Sequence, residues 1–221
     1  MSVIYKRESN LELLRIVSMI AIVVYHACWH TRHYFDEQST LISELFCSFI
    51  IYHVSLFVLI SGFFGIKLKT MSLLKIVLPC FFIGLSFNLI STFLLNKPTS
   101  AKDYILLFVP FLNSKWWFVT SYVQLMIASP ILNFINRNTS IREHLLVVAI
   151  FSFICFTYGG IFHSDFDATG QSAFHFAFLY EVGSLIKKYI LNRGPIDIKV
   201  RPRLLCIYLL CVCFIFLKYR F

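Results

Sequence analysis

Arg15 and His26 stand eleven residues apart within the apolar stretch NLELLRIVSMIAIVVYHACWH, residues 10–30. On a helix turning about 100° per residue they differ by only about 20° and lie about 16 Å apart along the axis, so both project from one face. Glu12 precedes Arg15 by three positions and is within pairing reach of it. Met19, Ile22 and His30 fall on the same stripe. An ionisable side chain inside an apolar span normally faces the interior of a bundle or an aqueous cavity, and it marks a pathway or a reacting site. A cation near one end of the stripe, with an imidazole deeper in, therefore points to such a pathway or site. Plainer roles stay open for each group. Arg15 can snorkel its head to the lipid boundary, and His26 can be polar glue to a neighbouring helix. His30 and His33 sit near the outer edge, where an interfacial role suffices.

The elements that carry these residues follow from composition. Of 221 residues, 58% are hydrophobic and 14% charged, against about 25% charged in ordinary globular chains. Long apolar runs separated by short polar ones require an all-α, polytopic integral membrane bundle. Spans are expected at 11–30, 41–66, 73–95, 116–136, 145–162, 173–191 and 204–220, about seven in a single domain over 1–221. The second is long enough to tilt or to begin with an interfacial turn. The run YILLFVPFL, 104–112, is too short to cross and is interrupted by Pro110, so it belongs at the interface or re-enters. NRGPIDIKVRPR, 192–203, is the clearest polar linker, with Gly194, Pro195 and Pro202 as breakers.

Orientation follows from lysine and arginine. With the N-terminus in the cytoplasm, that side receives Lys6, Arg7, Lys67, Lys69, Lys75, Arg137, Arg142, Lys187, Lys188, Arg193, Lys199, Arg201 and Arg203. The other side receives Arg32, Lys97, Lys102, Lys115, Lys218 and Arg220. The bias favours N-in, with Lys218 and Arg220 against the trend. The net charge of +9 is thereby explained without nucleic acid, for which no basic, aromatic-interleaved patch exists. The seven cysteines lie almost all in apolar runs, form no CxxC pair and read as small core residues. The polar start MSVIYKRESN leads into a span with no cleavage site, so the first helix is expected to be retained. The aspartates of HSDFDATG, 163–170, offer too few ligands for a hard metal, and a solvated outer loop is the expectation; no metal is called for.

NLELLRIVSMIAIVVYH resembles the first helix of the membrane-bound acyltransferase-3 family, whose signature is Arg-x10-His. Further stretches are similar in the same order. VSLFVLISGFF, 54–64, resembles the family's Ser-Gly-aromatic run. KTMSLLKIVLP, 69–79, resembles its next cytoplasmic edge with basic residues and a proline. WWFVTSYVQLMIASPILNFIN, 116–136, resembles its Trp-Phe … Tyr … Ser-Pro helix, and FLYEVGSLIKKY, 178–189, a later Tyr-x-x-Gly segment. The likeness runs from about residue 8 to 190.

The resemblance implies transfer of an acyl group, usually acetyl, from cytoplasmic acyl-coenzyme A to a hydroxyl of a cell-surface glycan or exported sugar, across a bacterial inner or plasma membrane. Arg15 is then the candidate for the donor's phosphates, because guanidinium offers planar, bidentate donors. Lys67, Lys69 and Lys75 can add point charges, although positive-inside topology accounts for them equally well. His26 would be the general base, its ordinary pKa near 6.5 lying close to working pH. A donor to the developing oxyanion is also required, with Ser61, Tyr122 and the Trp117 indole as candidates. His53 is a weaker alternative base, for which core hydrogen bonding is the plainer role. Glu181 needs a partner or a proton. No serine or cysteine sits in a nucleophile elbow, and Cys28 points away from His26.

Members of this family run well past three hundred residues with about ten spans, so a C-terminally shortened form is expected here. Two other readings compete with an enzyme. A transport or export component would use the Arg15–His26 stripe as a permeation lane, and should show inverted repeats and paired broken helices; the sequence displays neither. An inactive remnant is the third.

Overall fold

The computed structural model describes residues 9–31, 34, 37–97, 100–108, 116–158 and 170–193. Among them every element is helical: α1 (Ser9–Thr31), α2 (Glu37–Ile50), α3 (His53–Phe64), α4 (Thr70–Phe93), α5 (Ala101–Phe108), α6 (Trp117–Asn138), α7 (Ile141–Phe153), a π-helical turn (Ile154–Tyr158) and α8 (Ala173–Arg193). Four stretches of the described residues are long and apolar enough to cross a bilayer: Asn10–Thr31, Ser39–Phe64, Thr70–Phe93 and Trp117–Asn138. Helices suit this task because each satisfies its own backbone where no water is present. The chain is an all-α, multi-pass membrane protein. Pro79 and Pro130 lie inside α4 and α6, as apolar spans tolerate.

The elements differ from the expected spans in three places. The single span expected over 41–66 is two helices, α2 and α3, with a turn at Ile51 and Tyr52. The break is stitched by Ile51 N donating to Cys47 O (2.9 Å) and Leu56 N donating to Tyr52 O (2.8 Å). The His53 ring adds an Nδ1 bond to Ile50 O at 2.7 Å, so its side chain replaces part of the lost ladder.

The span expected from 145 begins earlier. Ser140 and Glu143 form a reciprocal capping box, Ser140 N donating to Glu143 Oε2 (2.6 Å) and Glu143 N to Ser140 Oγ (3.3 Å). α7 therefore starts at Ile141 and ends in the π turn. The short apolar run near 104–112 is seen as α5, which begins three residues sooner because Ser100 and Asp103 cap it by bonds of 2.7–3.3 Å. Pro110, His33, the 163–169 loop, the linker from 194 and the span expected at 204–220 lie outside the described residues.

The chain divides into two compact units, one of residues 1–60 with 187–221 and the other of 61–186. In the first, α1 packs on α2. Ser18, Cys47 and Ser48 are completely covered, and small side chains of this kind let apolar helices approach closely. Their hydroxyls are satisfied locally, Ser18 Oγ donating to Leu14 O and Ser48 Oγ to Glu44 O, both at 2.8 Å. In the second unit α4 rests on α5 and α6, with Gly84 closely against the Leu107 side chain. Val123, Leu125, Met126, Leu132, Phe176 and Tyr180 are buried there. Cys47, Cys80 and Cys155 are buried free thiols, the core role expected of them.

Candidate functional site

α1 presents one covered face and one bare face. Leu11, Arg15, Ser18, Ile22 and His26 are half-buried or buried, recurring at helical spacing, while Leu13, Ile16, Val17, Ile20 and Val23 are exposed. Arg15 and His26, both half-buried, thus share the less exposed side of α1. Met19 and His30 do not belong to it: Met19 is 51% exposed and His30 is exposed. The reason is geometric, since they lie about 40° and 60° round the helix from Arg15. The covered stripe is centred instead on Ser18 and Ile22.

The Arg15 guanidinium carbon stands 5.3 Å from the centre of the Phe57 ring on α3, within cation–π range. That contact fixes the planar cation on an aromatic face and leaves its edge donors free to meet an anion. Glu12 is half-buried one turn away. The His26 ring meets Tyr25 edge-on at 5.6 Å and stacks on His30 at 6.1 Å. These ring contacts orient the imidazole without consuming it in a core hydrogen bond of the kind His53 makes.

In the second unit, the candidate hydroxyls come together. Ser61, in the last turn of α3, and Tyr122 of α6 share a hydrogen bond of 3.3 Å. Tyr122 stacks on Phe118 at 5.8 Å, and Trp117 meets Phe118 and Phe176 edge-on at 6.0 and 6.4 Å. Gly62 is required beside Ser61, because a Cβ there would overlap the Tyr180 carbonyl of α8. α3 and α8 can touch at backbone distance only with glycine at this point.

The three candidate lysines sit after that contact. Lys67, Lys69 and Lys75 are all exposed. α3 ends at Gly65, whose φ of +80° is the left-handed conformation that stops helices and that glycine adopts without strain. The segment 65–69 then runs outside any helix, and Lys69 is extended (φ −136°, ψ 136°), standing before α4 without a capping side chain. Ser72 N and Leu73 N donate back to Lys69 O at 2.9 and 3.1 Å, and the helix dipole favours an anion at this end of α4.

Glu181, which needed a partner, has one in this unit, and Asn136, Tyr180 and Asn133 make further polar contacts beside it. Glu181, fully buried on α8, bonds His144 Nε2 of α7 at 2.9 Å, and His144 is fully buried as well. Asn136 Nδ2 of α6 donates to the other carboxylate oxygen at 3.4 Å. One residue earlier on α8, Tyr180 donates to Asn133 Oδ1 at 2.7 Å and accepts from Ile66 N at 2.9 Å. The signal available in the sequence was Glu181 itself, an acid in an apolar run that demands a partner.

No curated protein and no solved structure matches the chain. The model of the acyltransferase-3 family, described as an acyltransferase domain, matches residues 8–221. The Arg15–His26 spacing on one covered helix face is thereby placed within a match over nearly the whole chain. The chain belongs to the acyltransferase-3 family and is a multi-pass membrane acyltransferase.

Proposed function

We propose that the protein moves an acyl group, acetyl in the simplest case, from acyl-coenzyme A in the cytoplasm to a hydroxyl of a cell-surface glycan or exported sugar. The carrying observation is that Arg15 and His26 share the covered face of α1, with an exposed apolar face opposite. In this reading the N-terminus is cytoplasmic and the membrane is the cell's inner or plasma membrane. Exposed Lys67 and Lys69 between α3 and α4, with exposed Arg137 in the last turn of α6 and Arg142 in the first turn of α7, support that orientation.

Arg15 then lies near the cytoplasmic boundary, where the donor's phosphates must stop because they cannot enter hydrocarbon. Its guanidinium meets them with bidentate geometry. Lys67, Lys69 and Lys75 add exposed point charges. The thin, largely apolar pantetheine arm can continue into the bundle and deliver its thioester to the depth of His26, about 16 Å further along α1.

His26 takes the proton of the acceptor hydroxyl as its oxygen attacks the thioester carbonyl. The tetrahedral intermediate collapses with cleavage of the carbon–sulfur bond. The departing thiolate recovers the proton from the imidazolium, leaving an ester and free coenzyme A. Replacing His26 by alanine is expected to abolish transfer of radiolabelled acetyl from acetyl-coenzyme A in membranes while leaving insertion intact. Retained transfer would overturn the assignment.

A further inference from the structure

Ile66, immediately before Lys67, is held by an unusual device. Its N–H donates to Tyr180 Oη at 2.9 Å, and its carbonyl accepts from Asn133 Nδ2 at 2.7 Å. Tyr180 Oη in turn donates to Asn133 Oδ1 at 2.7 Å. The three bonds close a ring. The phenol uses its one proton and one lone pair, and the amide uses both its ends. Both main-chain groups of Ile66 are thus taken by side chains from α6 and α8, rather than by water or by a neighbouring turn.

The ring is itself anchored on both sides. Gly62 brings the end of α3 against the Tyr180 backbone, and Gly65 turns the chain back toward Asn133 and Tyr180. Glu181, the next residue of α8, is tied to buried His144 at 2.9 Å, which resists rotation of α8 about its axis. The segment so held carries Lys67 and Lys69, one and three residues beyond Ile66 and both exposed.

We infer that Tyr180 and Asn133 are positioning residues for the donor: by closing the ring around Ile66 they hold Lys67 and Lys69 where the coenzyme's phosphates arrive. This rests on the reading of those lysines given under Proposed function. A lysine ammonium is a point charge on a flexible stem with high rotamer entropy. Fixing the backbone beneath two of them reduces what must be ordered when the anion binds.

The test is the affinity of the purified, full-length protein in detergent for acetyl-coenzyme A, measured by calorimetry from low to physiological ionic strength. Binding that uses the lysines weakens as salt rises. Lys67→Ala with Lys69→Ala is expected to raise Kd and flatten that salt dependence. Tyr180→Phe is expected to raise Kd about fivefold, the worth of roughly one net hydrogen bond, and to flatten the salt dependence in the same way. In the lysine-free background Tyr180→Phe should change Kd no further, since coupled residues are not additive. Asn133→Ala must reproduce the result, and serves if Tyr180→Phe does not fold.

A loss of fold alone would scale Kd equally at every salt concentration, and that outcome would overturn the inference. So would a full additive effect of Tyr180→Phe on top of the lysine changes. If the lysine pair itself leaves Kd and its salt dependence unchanged, the donor reading of the lysines falls, and the positioning role falls with it.

Discussion

Replacing His144 by leucine isolates the energetic weight of a fully buried polar contact. The imidazole and the Glu181 carboxylate meet at 2.9 Å with both side chains 0% exposed. His144 Nδ1 is buried without a hydrogen-bond partner among the described residues, so the bond to Glu181 is the one that holds the ring. His144→Leu keeps most of the volume but strands Glu181 with a single long amide contact, Asn136 Nδ2 at 3.4 Å. Removing one partner of a buried ionic contact costs about 3–5 kcal/mol. Within a membrane the unfolded chain also finds partners for its polar groups, which lowers such values. The expected loss is therefore about 3 kcal/mol, roughly a 150-fold shift in the unfolding equilibrium. Glu181→Leu should cost about 1–3 kcal/mol, the penalty for leaving the buried imidazole without its partner. The double leucine variant should return near wild-type stability, as apolar replacement of a buried pair is often neutral. Denaturant unfolding in micelles, followed by the fluorescence of the three tryptophans, supplies the midpoints. A loss below about 1 kcal/mol for His144→Leu, or a double variant no more stable than that single one, would refute the reasoning.

Two other perturbations follow from the same geometry. Arg15→Ala is expected to raise the KM for acetyl-coenzyme A with little change in kcat, because it removes ground-state binding; initial rates across donor concentration decide it, and an unchanged KM removes Arg15 from the donor site. Gly62→Ala is expected to cost about 1–3 kcal/mol, since its Cβ would meet the backbone of Tyr180 and not a yielding side chain; a wild-type unfolding midpoint would contradict that contact.

The long helices were legible because hydropathy alone specifies them. The expected 11–30, 73–95 and 116–136 correspond to α1, α4 and α6 within a few residues. The break at Ile51–Tyr52 was not legible, because neither residue is a helix breaker and hydropathy runs through it unchanged; the interruption is compensated by the His53 ring, a contact that periodicity cannot register. The start of α7 could have been read from Ser140-x-x-Glu143, whose capping box is a local signal. Arg15 and His26 were placed on one face by spacing, but which neighbours shared that face depended on packing, and Met19 and His30 fell outside it. Glu181 announced its need for a partner, yet His144 lies 37 positions away, and only the fold brings it there.

The interruption of the second crossing has a consequence for biogenesis. α2 has 14 residues and α3 has 12, so they extend about 21 Å and 18 Å, and neither alone spans the roughly 30 Å of hydrocarbon. The two halves are obliged to enter the bilayer together, as one jointed stave. Adding or removing one residue at the joint would turn α3 through about 100° against α2 and carry the Phe57 ring away from the Arg15 guanidinium.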